Sequence, residues 1–518
     1  MKGNKKKLSK VLLSSTLLLT MFFTTMPTSV FALDNVVSPK AGEIAIDDKN
    51  FPDAVFRGYV ANANNGINTD GNTVLSTSEI EKVTIINLYD KKIGSLEGIK
   101  YFTALTELSC NLNQLTKLDV SKNVKLKKLY CNYNQLTSLD VSQNKDLIEL
   151  QCNNNKLTSL DISKNVYIKD LYCEENQLTS LNIGPNKSLT NLTCYTNKLT
   201  SLDISKNTSL TGLTCNDNLL PGLDVSQNVN LTSLRCYRNK LTSLDVSPNV
   251  SLTSLFCEEN LLTNLDVSKN TSLTKLRCNN NQLVDLDVSK NIALTQLICN
   301  NNLLKDLDVS KNVELDELFC QENNLTNLDV SKNKSLTRIF CNNNQLVSLD
   351  VSQNPDLGVL ICSGNQLTSL DVSKNPNIRY DCSAQTRTIT YDKNKGYLLS
   401  EYDTNFVKGN ASNFKGATYK DGTLTGVTFD KAITYDYDIG CNSGFPNTPM
   451  DVTITFVEKK DKPTITVGNG SNHQVNTSND MTFTCSGKLE DLNGVYVDGK
   501  LVAESNYTLK SGSTILTL

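Results

Sequence analysis

Apolar residues fall at fixed positions through the middle of the chain. The frame is L-x-x-L-x-C-x-x-N-x-L-x-x-L-D-V-S-x-N, first complete at Leu105, Leu108, Cys110, Asn113, Leu115, Leu118, Asp119, Val120, Ser121 and Asn123. It recurs every 21 residues, and thirteen cysteines from Cys110 to Cys362 mark it. Inside it lies a smaller repeat: Leu105 to Gln114 and Leu115 to Lys125 both spell L-x-x-L-x-(C or V)-x-x-N, in 10 and 11 residues. Alternation within each half predicts a short strand, with Leu108 and Cys110, or Leu118 and Val120, pointing inward, and a turn closed by Asn113 or Asn123. Neither half is long enough for an ordinary helix. The chain is therefore expected to be mostly β, a solenoid in which each repeat forms one coil.

Asn fills all thirteen positions equivalent to Asn113 and all thirteen equivalent to Asn123. An Asn amide both donates and accepts hydrogen bonds, so both columns are expected to serve the backbone of bent, buried turns whose own polar groups lack strand partners. An Asp column runs from Asp119 to Asp371, broken by Asn182. Alternation points it outward. Turn N–H groups and lysines such as Lys122, Lys164 and Lys269 are its ordinary partners, and a cation-binding ribbon is the sharper alternative.

Columns that never change serve stacking, whereas columns that change are free to carry specificity. The outward residue before each Cys reads Ser109, Tyr130, Gln151, Tyr172, Thr193, Thr214, Arg235, Phe256, Arg277, Ile298, Phe319, Phe340 and Ile361. Seven of these thirteen are aromatic or Ile, where polar residues would be the default. Neighbouring columns add Tyr133, Tyr195, Tyr237, Arg238, Lys275 and Arg338. Aromatics interleaved with Arg have the composition of binding hot spots. The plainer reading is that such residues favour strands and stack on one another. The opposite side carries Ser and Asp and lacks such a stripe, so the candidate ligand-binding residues are Tyr130, Tyr172, Tyr195, Arg235, Tyr237, Arg238, Phe256, Arg277, Phe319 and Phe340.

Sixteen cysteines would ordinarily suggest disulfides in an exported chain. Stacked coils, however, hold equivalent Cβ atoms at the strand spacing of about 4.8 Å, while a disulfide needs about 3.8 Å. A ladder of buried thiols acting as small hydrophobes is the expectation. A metal site is disfavoured because there is no C-x-x-C pair and His473 is the only His.

The first half of the frame matches the leucine-rich-repeat signature, with Cys in place of the third Leu. From Leu105 to Asn377 the nested pattern resembles the short bacterial leucine-rich repeats called IRREKO. That resemblance implies a flattened solenoid with a parallel sheet on both sides. About fourteen coils, counting an irregular first one, would make a rod about 65 Å long at ~4.8 Å per coil. Ahead of them, Asn50-Phe51-Pro52-Asp53 opens a helix with Phe56, Tyr59 and Val60 on one side. The stretch from Asn68 to Glu79 then has the cadence of an EF-hand loop, with Asn68, Asp70, Asn72, Ser76 and Glu79 as candidate metal ligands. It departs from that pattern at position 1, which is Asn, and at position 6, where the sharp turn asks for Gly and Thr73 stands. Together with the irregular repeat Val83 to Ala104, it resembles the EF-hand-derived helical cap and first repeat of internalin-type surface proteins. Capping is the preferred reading there, with Ca2+ binding as the alternative.

Beyond Asn377, hairpin signals at Lys420-Asp421-Gly422 and Asp498-Gly499 mark β-rich sequence. It resembles the Ig-like modules that follow such solenoids. In the second of them a further hairpin would be expected beyond Leu518. The expected organisation is a signal peptide over 1–32, a helical EF-hand-like cap over 33–82, the solenoid over 83–382, an Ig-like β module over 383–458, a linker over 459–463 and a second module over 464–518. Lys2, Lys5, Lys6, Lys7 and Lys10, the apolar run Val11 to Phe23, and Val30-Phe31-Ala32 supply the signal peptide, cleaved near Ala32. No later run is long and apolar enough to span a membrane. With the leader set aside, 46 basic residues face 54 acidic ones, a net charge near −8 that argues against nucleic acid. There is no G-x-S-x-G, H-E-x-x-H or P-loop, so an enzyme is not expected. The resemblance implies an exported monomer on a bacterial surface that recognises a protein or, as the alternative, a surface glycan within a larger polysaccharide-degrading protein.

Overall fold

A computed structural model describes residues 39–458 apart from 185, 393 and 441–448, together with the backbone of six short strands between 465 and 517. The signal-peptide reading at 1–32 lies outside the described residues.

Fifteen parallel strands, from Ile85–Asn87 to Arg379–Asp381, form one continuous sheet along the solenoid. Each is three residues long because only the middle residue points inward before the chain must turn. Leu234, Leu255, Leu276 and Leu297 stand in register on successive strands and are fully buried. The cysteine that follows each strand continues the ladder through its N–H, as from Cys257 to Arg277 O at 2.9 Å. Leu262, Leu265 and Val267 line the core from the other half of the same coil.

The sheet expected on the second side is present only in part. Ser159–Asp161 pairs with Ser180–Asn182, and Asp119 with Asp140 in an isolated bridge. In every coil, paired or not, the member of the Asp column accepts the N–H two residues on, as Asp245 Oδ1 does from Ser247 at 2.9 Å and Asn182 Oδ1 from Gly184 at 3.1 Å, so the side chain closes a local turn directly after the short strand position. Among the described residues this column makes no ion pair with a lysine.

The two Asn columns work differently. Asn155 donates from Nδ2 to the Cys131 and Cys152 carbonyls, both at 3.0 Å, and accepts from Leu136 N at 2.9 Å, tying its coil to the one before. Asn249, in the other column, donates to Val225 O and Asn228 O, but its Oδ1 is buried without a hydrogen-bond partner. The first column realises both halves of the expected donor and acceptor role throughout, the second only at Asn186, whose Oδ1 accepts from Ser188 N at 2.9 Å. A third ladder carries no sequence signal beyond Thr itself: Thr211, Thr232, Thr253 and Thr274 each donate Oγ1 to the carbonyl one coil earlier, at 3.0 to 3.2 Å.

Both ends of the core are covered. At the N-terminal end, helix α1 (Ala54–Ala61) buries Phe56 and Val60 beside Phe51. Asp53 caps α1 through Val55 and Phe56 N–H with one oxygen and accepts from Gly94 N with the other, joining the cap to the first coil. Helix α2 (Thr77–Lys82) starts on a capping box of Ser76 and Glu79. At the far end, Gln385 replaces the turn Asn: its Nε2 donates to the Cys362 and Cys382 carbonyls and its Oε1 accepts from Leu367 N. The strand Gln385–Tyr391 runs parallel to Met450–Glu458 in a four-stranded sheet with Ala432–Tyr437 and Ala411–Lys415. Buried Asp403 accepts from Thr368 and Ser369 hydroxyls, and Tyr435 donates to Thr368 O at 3.0 Å, so this sheet is hydrogen-bonded to the last coil. Of the region after 459, four strands form one antiparallel sheet and two a hairpin.

Candidate functional site

The strands set the geometry of the variable face. Because the ladder runs without a register shift, residues 21 apart stand side by side: Arg235, Phe256, Arg277, Ile298, Phe319, Phe340 and Ile361 are in-register neighbours across seven strands. Phe256 lies between two guanidinium groups, with Arg235 Cζ 5.2 Å and Arg277 Cζ 4.6 Å from its ring centre. Phe319 and Phe340 stack at 4.4 Å with planes 9° apart. The ring faces in this row are turned to their neighbours, so the side chains present edges and guanidinium groups outward.

The candidate residues do not form one spot. Tyr130 and Phe340 are ten coils apart, about 48 Å at ~4.8 Å per coil. The structure brings Arg235, Phe256 and Arg277 together, and separately Phe319 and Phe340. Tyr237 and Arg238 lie at the edge of the first group, with Arg238 Cζ 6.0 Å from the Tyr237 ring. Tyr130, Tyr172 and Tyr195 belong to the N-terminal half. There Tyr130 donates to Glu149 at 3.0 Å and Tyr195 to Glu175 at 3.4 Å. Burial, with the Glu174 and Glu175 charges beside it, pushes the Tyr195 phenol up to about 12.

Two features of this face were not evident from the frame. The residue two after each cysteine is left-handed in twelve coils, from Leu112 (φ 56) to Asn343 (φ 55), with Gly364 (φ 65) completing the column. Asn and Gly suit that conformation, but Tyr133, Thr196 and Arg238 do not, and their variety hid the turn. The residue directly after each cysteine is Asn in seven of the thirteen coils and Glu in two. Glu174 is buried with Oε2 unpartnered, and burial pushes its carboxyl up to about 7. An acid in a column where Asn predominates was the available signal.

The cysteines are as the spacing required. The thirteen from Cys110 to Cys362 are buried and unlinked, and burial raises their thiol pKa, that of Cys215 to about 12.

The EF-hand-like loop brings its candidates together through hydrogen bonds. Asn68 is fully buried and donates to Asn72 O at 2.7 Å, and Asp70 Oδ2 accepts from Asn72 Nδ2. Glu79 accepts from Thr69 N and Oγ1 with one oxygen and from Ser76 N and Oγ with the other. Burial works against this charge, yet the Ser76 and Thr69 hydrogen bonds hold the carboxyl down to about 2. The left-handed residue of the loop is Gly71 (φ 70), while Thr73 is outside that region, so the sharp turn falls two positions earlier than the EF-hand pattern places it.

No protein-family model matches the chain, and no curated protein does. Solved structures do. The functional domain of InlJ from Listeria monocytogenes, described as including a cysteine ladder, is 30% identical with a TM-score of 0.63, over 80% of this chain and 98% of that one. The chain belongs to the internalin-type leucine-rich-repeat proteins. The internalin InlF from Listeria monocytogenes is 25% identical with a TM-score of 0.50, over 66% of this chain and 98% of that one. For this internalin-type solenoid the likeness supports a binding role for the repeat, and it leaves the ligand and the residues that hold it to be argued from the chain itself.

Proposed function

We propose that the chain is an exported, non-enzymatic recognition module of a bacterial surface or secretome that binds a protein across the variable sheet face. The observation that carries this is the contrast between columns: one side of every coil repeats Asp and Ser, whereas the sheet side changes residue by residue and places arginines and aromatic edges on rigid, evenly spaced strands. Side chains already held by neighbours lose little entropy on binding. The likeness to internalins supports the reading. The glycan alternative depends on stacking sugars on open ring faces, and the Phe256, Phe319 and Phe340 faces are engaged within the chain. In the same reading, the Asn68 to Glu79 loop is a cap held by hydrogen bonds and does not need calcium.

The test is to present the immobilised chain with host and bacterial surface proteins beside a glycan array. A protein partner is expected to dominate, and truncating Arg235, Phe256 or Arg277 should each weaken it by about 1–3 kcal/mol. Binding abolished instead by substitutions in the Asp119 to Asp371 column would move the function to the other side.

A further inference from the structure

Four arginines of the sheet face divide into two kinds. Arg238 is ion-paired with Glu259 at 3.0 Å and Asp217 at 3.7 Å, and Arg338 with Glu317 at 2.7 Å. Their charge is answered within the chain. Arg235 and Arg277 have no carboxylate within 4.0 Å among the described residues, and Arg277 donates Nε only to the neutral Gln296 Oε1 at 3.0 Å. Glu258, on the Phe256 coil, acts on Arg277 through space but makes no ion pair with it. Both free guanidinium groups are fixed against Phe256. One column over, in register with them, stand Ser233, whose hydroxyl accepts from Ser254 Oγ at 3.0 Å and keeps its own proton to donate, and Lys275 with its ammonium. The centre of the face thus offers cations and a hydroxyl donor. Directly beyond it the row turns apolar for four coils, from Ile298 to Ile361.

We propose that this strip binds an extended acidic segment of a partner protein, with carboxylates on Arg235 and Arg277 and apolar side chains along Ile298, Phe319 and Phe340. The proposal rests on the protein-recognition reading and narrows it to one partner chemistry. A guanidinium stacked on a ring is already ordered, and its fork-shaped donors match a carboxylate in two parallel hydrogen bonds. Intramolecular neutralisation of Arg238 and Arg338 leaves the other two, beside Lys275, as the places where an outside anion meets an unanswered charge. The apolar run beside them selects a segment that carries acidic and apolar residues in sequence, which a sulfated or carboxylated polysaccharide lacks.

The experiment uses the full chain on an array of short synthetic peptides in which a pair of Glu precedes or follows a pair of Leu at varied spacing, each beside its Gln-for-Glu counterpart. The acidic peptides are expected to bind, with their Gln counterparts weaker by about tenfold or more. Arg235→Gln and Arg277→Gln should each lose about tenfold, while Arg338→Gln changes little. Arg277→Glu should gain binding to Lys-bearing peptides, a readout that a folding defect cannot give. Equal binding of acidic and Gln peptides, no peptide binding at all, or capture of dextran sulfate in their place with the same arginine dependence would overturn the proposal. A protein partner held on the sheet but indifferent to Arg235→Gln and Arg277→Gln would overturn it as well, while leaving the recognition reading in place.

Discussion

On the sheet side of the solenoid the residue before each cysteine changes from Ser109 to Ile361, while on the opposite side Asp recurs from Asp119 to Asp371 with one Asn. Both sides are built by the same coil and packed on the same core. They differ in what the backbone asks of the side chain. On the sheet side the ladder is closed by main-chain groups, so the outward side chain has no structural duty and is free to vary. On the Asp side there is little ladder, and the carboxylate itself satisfies the turn by accepting the N–H two residues on. Constancy there reports a hydrogen bond, and variation on the sheet reports freedom that recognition can use.

The largest effect that would sharpen this comparison comes from a turn Asn. Asn239→Ala removes donors to Cys215 O and Cys236 O and the acceptor for Leu220 N, and should destabilise the solenoid by about 1–3 kcal/mol in denaturant melts. Next is the cap. Glu79 is held down to about 2 against a usual 4.5, so its contribution is complete above pH 4.5 and is lost as pH falls towards 2. Glu79→Gln should flatten that acid limb of the melting curve, and calcium should not raise the melting temperature of the parent chain; a calcium-induced rise lost in Glu79→Gln would replace capping with metal binding. Glu174 shifts the other way. Raised to about 7, it costs nothing below pH 4.5 and destabilises progressively as pH rises through 7, so Glu174→Gln should gain stability at neutral pH and little at pH 4. The smallest change is expected from Asp245→Ser, within about 0.5 kcal/mol, because the exposed hydroxyl can still accept from Ser247 N. Equal losses for Asn239→Ala and Asp245→Ser would break the distinction between the columns. Alkylation read by mass spectrometry should label the ladder cysteines only after denaturation, since each is buried.

The 21-residue period, the inward columns, the thiol ladder and the variable face were legible because each depends on residues of one coil and on the alternation of a strand. The helix opening at Asn50-Phe51-Pro52-Asp53 was local enough to read as well, whereas Ser76 and Glu79 read as metal-ligand candidates and form a capping box in the structure. The second sheet was overestimated, since the resemblance to nested repeats gave both halves equal weight, whereas only Ser159–Asp161 with Ser180–Asn182 and the Asp119–Asp140 bridge pair on that side. Likewise the turn at Gly71 displaced the one expected at Thr73.

What only the tertiary structure decided is which side chain answers which across coils. Arg235, Arg238, Arg277 and Arg338 are the same letter in the sequence. Two are neutralised by Glu259 and Glu317, and two are left facing outward around Phe256. The two Asn columns are equally invariant, yet in one each amide oxygen finds a donor and in the other only that of Asn186 does. The sequence determines the period, and so which residues become neighbours. Whether neighbours pair depends on rotamers and on hydrogen-bond directions between strands about 4.8 Å apart, and these exist only once the coils have stacked.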